Sequence, residues 1–137
     1  MHTIKAVGVL VINKKGEILV LLRSKKDPEG NTWGLVGGKI NVGENIDNAA
    51  IREFKEETGI DVKTQDLIFL KTYKWNRKNV NLIFNLFKLE VSQRFRNLEL
   101  PHKEIEDFMW VKPEKLYERK DLMQGLYEII RNNFQFE

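Results

Sequence analysis

Three glutamates, Glu53, Glu56 and Glu57, crowd into one short stretch beside Arg52, within a segment Gly38 to Ile60 that reads GKINVGENIDNAAIREFKEETGI. On a helix turning about 100° per residue, Glu53 and Glu57 stand one turn apart with Glu56 beside them. Ile46, Ala49 and Ala50 fall on or next to the same face, so the carboxylates are expected on its partly buried side, with Lys55 pointing away. Like charges so spaced repel by about a few tenths of a kcal/mol per pair in water and by more where water is excluded. A divalent cation answers that repulsion, because oxygen ligands from adjacent turns of one rigid helix reach a common ion that also takes phosphate oxygens. Arg52 is placed to orient one carboxylate through paired hydrogen bonds. The plain alternative is a solvated charged face, and for an isolated REFKEE string it is the better reading.

The neighbours of that string decide between the two. Gly37, Gly38 and Gly43 let the backbone turn tightly and approach an ion or a phosphate with no side chain in the way. Gly38, Glu44, Arg52, Glu53, Phe54, Glu56, Glu57, Gly59 and Ile60 together fill one spaced pattern. It runs Gly, five residues, Glu, seven residues, Arg-Glu, an apolar residue, one residue, Glu-Glu, one residue, Gly and an aliphatic. This pattern resembles the Nudix box, and the preceding hairpin, Trp33 and Trp110-Val111 extend the resemblance loosely over most of the chain.

The resemblance implies a mixed sheet between helices, with the box as loop, helix and loop. It implies magnesium as cofactor, with manganese as a substitute. Glu53 and Glu57 are then the expected metal ligands, Glu56 a ligand or base, and the Gly37 main-chain carbonyl a further ligand. Glu44 and Arg52 would hold the helix and its loop, Arg52 counting with Glu53 and Glu56 in the catalytic set, while Gly37 and Gly38 would border the substrate. Two departures stand out: Val36, where many relatives carry proline, and Asn41-Val42, where Glu-Pro is frequent. Neither position carries a ligand.

The implied reaction is attack of water on a phosphorus atom of a nucleoside diphosphate linked to another group. The base comes from the box or from a glutamate shortly before the Trp110-Val111 segment. Glu104 is the candidate there, Glu106 the reserve and Glu56 the competitor, and an acidic solvated turn is the alternative for 103–107. Arg23, ending the second strand, resembles an arginine often found there in relatives and is a candidate to contact phosphate, an ordinary surface arginine being the alternative. Tyr73 and Trp75 alternate on one strand face and are candidates for stacking on a base, with Asn81 or Asn85 adding hydrogen bonds. Strand aromatics are more often core, and the same ambiguity attaches to Trp33 and Phe84. A nucleoside triphosphate yielding monophosphate and pyrophosphate is the leading substrate, with ADP-ribose, dinucleoside polyphosphates and nucleotide sugars open. A nucleotide-sensing module that does not cleave is the second reading, although such modules often lose box carboxylates. An isoprenoid diphosphate isomerase commonly needs a cysteine, and this chain has none.

These residues must be positioned by elements the sequence also announces. Thr3 to Ile12 and Glu17 to Leu22 flank the turn-like Asn13-Lys14-Lys15-Gly16 and read as a hairpin. The polar stretch Arg23 to Thr32 reads as a loop into the glycine-rich turn Trp33 to Gly38. Asn45 as cap, Asp47 in the first turn and Gly59 as terminator delimit a helix over about 45–58. Val62 to Lys74 and Val80 to Val91 read as a second hairpin across 75–79, and Phe108 to Val111 as a short strand. After Asp121 as cap, Leu122, Leu126, Ile129, Ile130 and Phe134 form one apolar helical stripe. Strands interleaved with helices give an α/β class, α+β by stricter bookkeeping, with a mixed sheet covered on both faces.

Composition narrows the chemistry from the other side. With 137 residues, 42% of them hydrophobic, one domain over 1–137 is expected. The absence of cysteine excludes disulfides, thiolate metal sites and a cysteine nucleophile. His2 and His102 are the only histidines, which leaves carboxylates as default ligands and favours hard ions. A net charge of +3 suits phosphate-bearing small molecules and is too weak to argue for nucleic acid. No apolar run approaches the roughly 20 residues of a membrane span, and residues 1–9 lack a secretory signal, so a cytosolic monomer or homodimer is expected.

Overall fold

The computed structural model describes residues 2–24, 30–92, 98, 100 and 104–136. In chain order the elements are β1 (His2–Ile12), β2 (Ile18–Arg23), β3 (Trp33–Gly34), β4 (Val36–Lys39), α1 (Ile46–Thr58), a 3-10 turn (Thr64–Asp66) and β5 (Leu67–Arg77). They continue with β6 (Val80–Glu90), β7 (Ile105–Val111), α2 (Pro113–Tyr117) and α3 (Leu126–Asn133). Among the described residues the strands form one seven-stranded mixed sheet ordered β3-β2-β1-β6-β5, with β4 paired to β1 and β7 to β2.

β1 is the spine. It runs parallel to β6 along its whole length, from His2 opposite Val80 to Ile12 opposite Glu90. Its side chains alternate between two cores, as the two-residue period of a strand requires. Val7, Val9 and Val11 pack under α1 with Ala49, Ala50 and Phe54. Leu10 faces the opposite layer, where Leu116, Leu126, Ile129 and Ile130 arrive from α2 and α3. The sheet is thus covered on both faces, as its patterning leads one to expect.

Several local expectations are corrected by long-range pairing. The first hairpin has its turn, in which Asn13 Oδ1 accepts the N–H groups of Lys15 and Glu17, but β1 and β2 pair only at Ile12 and Ile18. Beyond that point β1 gives the same edge to β4, Ala6 to Val9 opposite Lys39 to Val36, while β2 pairs with β7 and β3. Turn chemistry reports a reversal of the chain and says nothing about which distant strand wins the edge.

Gly37 and Gly38 accordingly lie in a strand and not in a tight turn, and Gly43 is the box-loop glycine with the left-handed backbone, at φ 81°. In the second hairpin Trp75, Asn76 and Arg77 belong to β5, and the reversal is confined to Lys78 and Asn79 at φ 46° and 30°. That hairpin begins at Leu67, since 64–66 form a 3-10 turn. β7 starts at Ile105, ahead of the expected Phe108.

The final helix begins at Leu126 behind Gly125, not after Asp121. The Asp121 carbonyl instead accepts the Trp33 N–H at 2.8 Å, and its carboxylate pairs with Arg119. Leu122 is buried but precedes the helix, and Phe134 is its C-cap. α2, introduced by Pro113, was too short to show a period. Among the described residues no helix is long and apolar enough to cross a membrane.

Candidate functional site

α1 forms where expected. Asn45 Oδ1 accepts the Asn48 N–H at 2.8 Å, and Gly59 closes the helix at φ 79° with its N–H on the Lys55 carbonyl. The helix buries Ala49, Ala50 and Phe54 on the sheet, and the same face carries Glu53 and Glu57 past the edge of β4. There the two carboxylates meet Gly37 and Gly38 at the polar end of a cavity of about 530 Å³.

Glu57 is the most constrained of the acids, its side chain only 1% exposed. Its Oε1 accepts the Gly37 N–H at 2.8 Å and its Oε2 accepts Arg23 Nη1 at 3.1 Å. Burial pushes its carboxyl from 4.5 up to about 7, against the opposing pull of Arg23 and of the Gly37 N–H. The Arg23 guanidinium also donates through Nη2 to the Gly37 carbonyl at 3.3 Å. A Cβ at Gly38 would lie 2.5 Å from the Glu53 carboxylate, so glycine there leaves that carboxylate in its place.

Arg52 gathers the other acids. It donates to both Glu44 oxygens, to the Lys39 carbonyl at 2.9 Å, to Glu53 Oε1 at 2.9 Å and to both Glu56 oxygens at 3.2 Å. Its hydrogen bonds hold the Glu44 carboxyl down at about 2, while Glu44 in turn raises the guanidinium. Glu56 departs from expectation: its side chain is 45% exposed and turned to Arg52, so two carboxylates and not three share the buried face. Its position on the wheel lies at the edge of that face, and Arg52 draws it outward. Among the described residues no three histidine, aspartate or glutamate side chains stand close enough to cage an ion as folded.

The remaining sequence candidates divide. Arg23 and Glu104 both line the cavity; Glu104 sits at the start of β7, its carbonyl accepting the Ser24 N–H at 2.7 Å. Glu106 is exposed on β7 and stands outside the lining. Tyr73 is buried in the core, its hydroxyl accepting from Asn132 and its ring stacked on Trp75 at 5.1 Å. Asn81 sits in the ladder opposite Asn76 and Thr3, and Asn85 is buried on Thr72 and the Ala6 carbonyl, both away from the cavity. Trp33 is core. His102 and residues 25–29 lie outside the described residues.

The apolar end of the cavity is formed by Trp75, Leu82 and Phe84 on one side and Met123, Leu126 and Ile129 on the other. Trp75 is fixed by its Nε1–H on Glu128 at 3.1 Å and by Gly125, where a Cβ would fall 2.5 Å from the indole. Gln124 and Lys39 are polar residues of the lining that sequence reasoning did not single out. Nothing local marks Gln124 except the neighbouring Gly125, whose backbone is left-handed at φ 90°.

The family model described as NUDIX domain matches residues 2–132. Nudix hydrolase 2 of Arabidopsis thaliana is 32% identical over 127 residues, which is 91% of this chain and 44% of that protein. The chain therefore spans less than half the length of that relative. Nucleoside triphosphatase NudI of Escherichia coli O1:K1 / APEC is 28% identical over 116 residues, covering 78% of this chain and 80% of NudI. Among solved structures, the MutT protein from Methanosarcina mazei Go1 superposes with a TM-score of 0.79 at 27% identity, covering 98% of this chain and 97% of that one.

Proposed function

The chain belongs to the NUDIX family, and on that premise we propose that it is a divalent-metal-dependent pyrophosphohydrolase whose substrate is a nucleoside triphosphate. One observation carries the reading: the carboxylates of Glu53 and Glu57 and the guanidinium of Arg23 share a cavity with the aromatic wall of Trp75 and Phe84. A nucleotide has this polarity, anionic phosphates at one end and a flat apolar base at the other.

The donors fit a hard divalent cation. Glu53, Glu57 and the Gly37 carbonyl offer oxygen alone, and Gly38 leaves the Glu53 carboxylate the space it occupies. Magnesium, with manganese as a substitute, would neutralise phosphate charge there and acidify water. Glu56, exposed and held by Arg52, joins as a ligand or base on rotating inward. Arg23 and Lys39 bind phosphate oxygens, and Trp75 and Phe84 flank the base. Water adds to a phosphorus atom, its proton passes to Glu104 or Glu56, and the bridging P–O bond breaks to leave monophosphate and pyrophosphate.

The triphosphate preference rests on the similarity to Nucleoside triphosphatase NudI. A panel of ribo- and deoxynucleoside triphosphates, ADP-ribose, dinucleoside polyphosphates and nucleotide sugars, incubated with magnesium and resolved by chromatography, tests it. Triphosphates should be cleaved fastest. Tight binding without turnover of any of them would make the chain a sensing module instead.

A further inference from the structure

Two cavity oxygens, Glu57 Oε2 and the Gly37 carbonyl, are both engaged by one guanidinium, through Arg23 Nη1 at 3.1 Å and Nη2 at 3.3 Å. A carboxylate buried as deeply as Glu57 is costly without a counter-charge, and Arg23 supplies it. We infer that Arg23 is the resident counter-ion of this oxygen pair, that it competes with a divalent cation for it, and that cation binding releases the guanidinium into the cavity.

The inference rests on the metal-dependent reading above and adds an order of events to it. Two cations cannot share one carboxylate oxygen and one carbonyl oxygen at contact distance without strong mutual repulsion in so dry a place. The backbone around Arg23 lets one leave without disturbing the fold. Its N–H donates to the Thr32 carbonyl at 2.9 Å and its own carbonyl accepts from Asn31 at 3.0 Å, so the main chain is held by bonds that do not pass through the side chain. A register shift in the β2–β7 ladder falls between Leu22 and Arg23, the kind of irregularity that re-aims a side chain. Arg23 lines the same cavity, so the released guanidinium stays within reach of a substrate phosphate.

Binding of manganese alone, followed by the EPR signal of the free ion at pH 8.5 where protons do not compete for the carboxylates, separates the outcomes. Arg23→Gln should bind manganese about tenfold or more tightly than the parent, and melt earlier in its absence but not at saturation. Equal or weaker binding by a folded Arg23→Gln would show that arginine and metal coexist, and would overturn the inference while leaving the metal reading intact. No manganese binding by the parent chain at millimolar concentration would defeat both. A second readout needs no variant: the side-chain Nε–Hε resonance of Arg23 in the parent should shift on magnesium addition, and an unmoved resonance at saturation overturns the inference.

Discussion

Arg52 and Glu44 are joined by two parallel hydrogen bonds, Nε to Oε2 at 2.8 Å and Nη2 to Oε1 at 2.9 Å. Glu44 Oε1 also accepts the Asn41 N–H at 3.0 Å, and Arg52 holds the Lys39 carbonyl, so the pair laces the loop after β4 to the second turn of α1. A lysine cannot reproduce a planar two-pronged donor. Arg52→Lys should therefore lower the melting temperature nearly as much as Arg52→Ala, and both should slow turnover through misplacement of Glu53. Thermal scans beside steady-state kinetics check this; full rescue by lysine would show that charge alone matters.

The same pair sets an acid limit. The folded Glu44 carboxyl titrates at about 2 against an ordinary 4.5, chiefly because of its hydrogen bonds from Arg52. A depressed carboxyl stabilises the fold above its unfolded pKa and loses that contribution as pH falls through the folded value. The denaturant midpoint of the parent should exceed that of Glu44→Gln near neutrality, and the gap should narrow from pH 4.5 downward to about 2. A gap independent of pH over that window would show that the carboxylate's charge contributes nothing.

Gly37 and Gly38 should respond differently to alanine. At Gly37 the new Cβ would lie 2.2 Å from the Val7 carbonyl oxygen, a backbone atom that cannot move without β1. At Gly38 it would meet the carboxylate end of Glu53, which can swing aside. Gly37→Ala is expected to cost about 1–3 kcal/mol of stability, as overpacking does. Gly38→Ala should fold nearly normally yet lose activity. Urea unfolding and turnover of both variants decide, and the reverse ordering would refute the packing argument.

Specificity is expected at the cavity's apolar end. Gln124 is exposed and belongs to no core, so Gln124→Ala should leave the melting temperature unchanged while altering the ratio of kcat/KM between two bases. Trp75→Ala removes the stacking wall and the bond to Glu128, and should raise KM for every nucleotide. Equal kcat/KM ratios in Gln124→Ala and parent would move base reading elsewhere.

What was legible in the sequence follows from the range of the interactions involved. α1 was legible to within a residue because its cap, its apolar face and Gly59 are local signals. The position of Glu53 and Glu57 on the buried face followed from helical spacing alone, whereas Glu56, at the edge of that face, was settled by a partner, Arg52, that pulls it outward. The pairing of β1 with β4 and β6 was illegible, because strand patterns do not name their neighbours. Tyr73 shows the same limit: its alternation with Trp75 was readable, but α3, whose Asn132 bonds the Tyr73 hydroxyl and whose Glu128 bonds the Trp75 indole, buries Tyr73 and leaves Trp75 on the cavity. Gln124 lies in a loop whose place depends on the β-bridge between Trp33 and Leu122, which no local motif signals.

Glu53 and Glu57 are proposed to serve hydrolysis by holding a divalent ion, and the fastest substrate of the panel puts that role to the proof. Turnover is measured with magnesium, with chelator, and with magnesium in Glu53→Gln and Glu57→Gln, foldedness being checked by circular dichroism. Chelator should abolish cleavage, and each variant should stay folded while its turnover falls by orders of magnitude. Undiminished hydrolysis in chelator, or in both folded variants, would contradict that role.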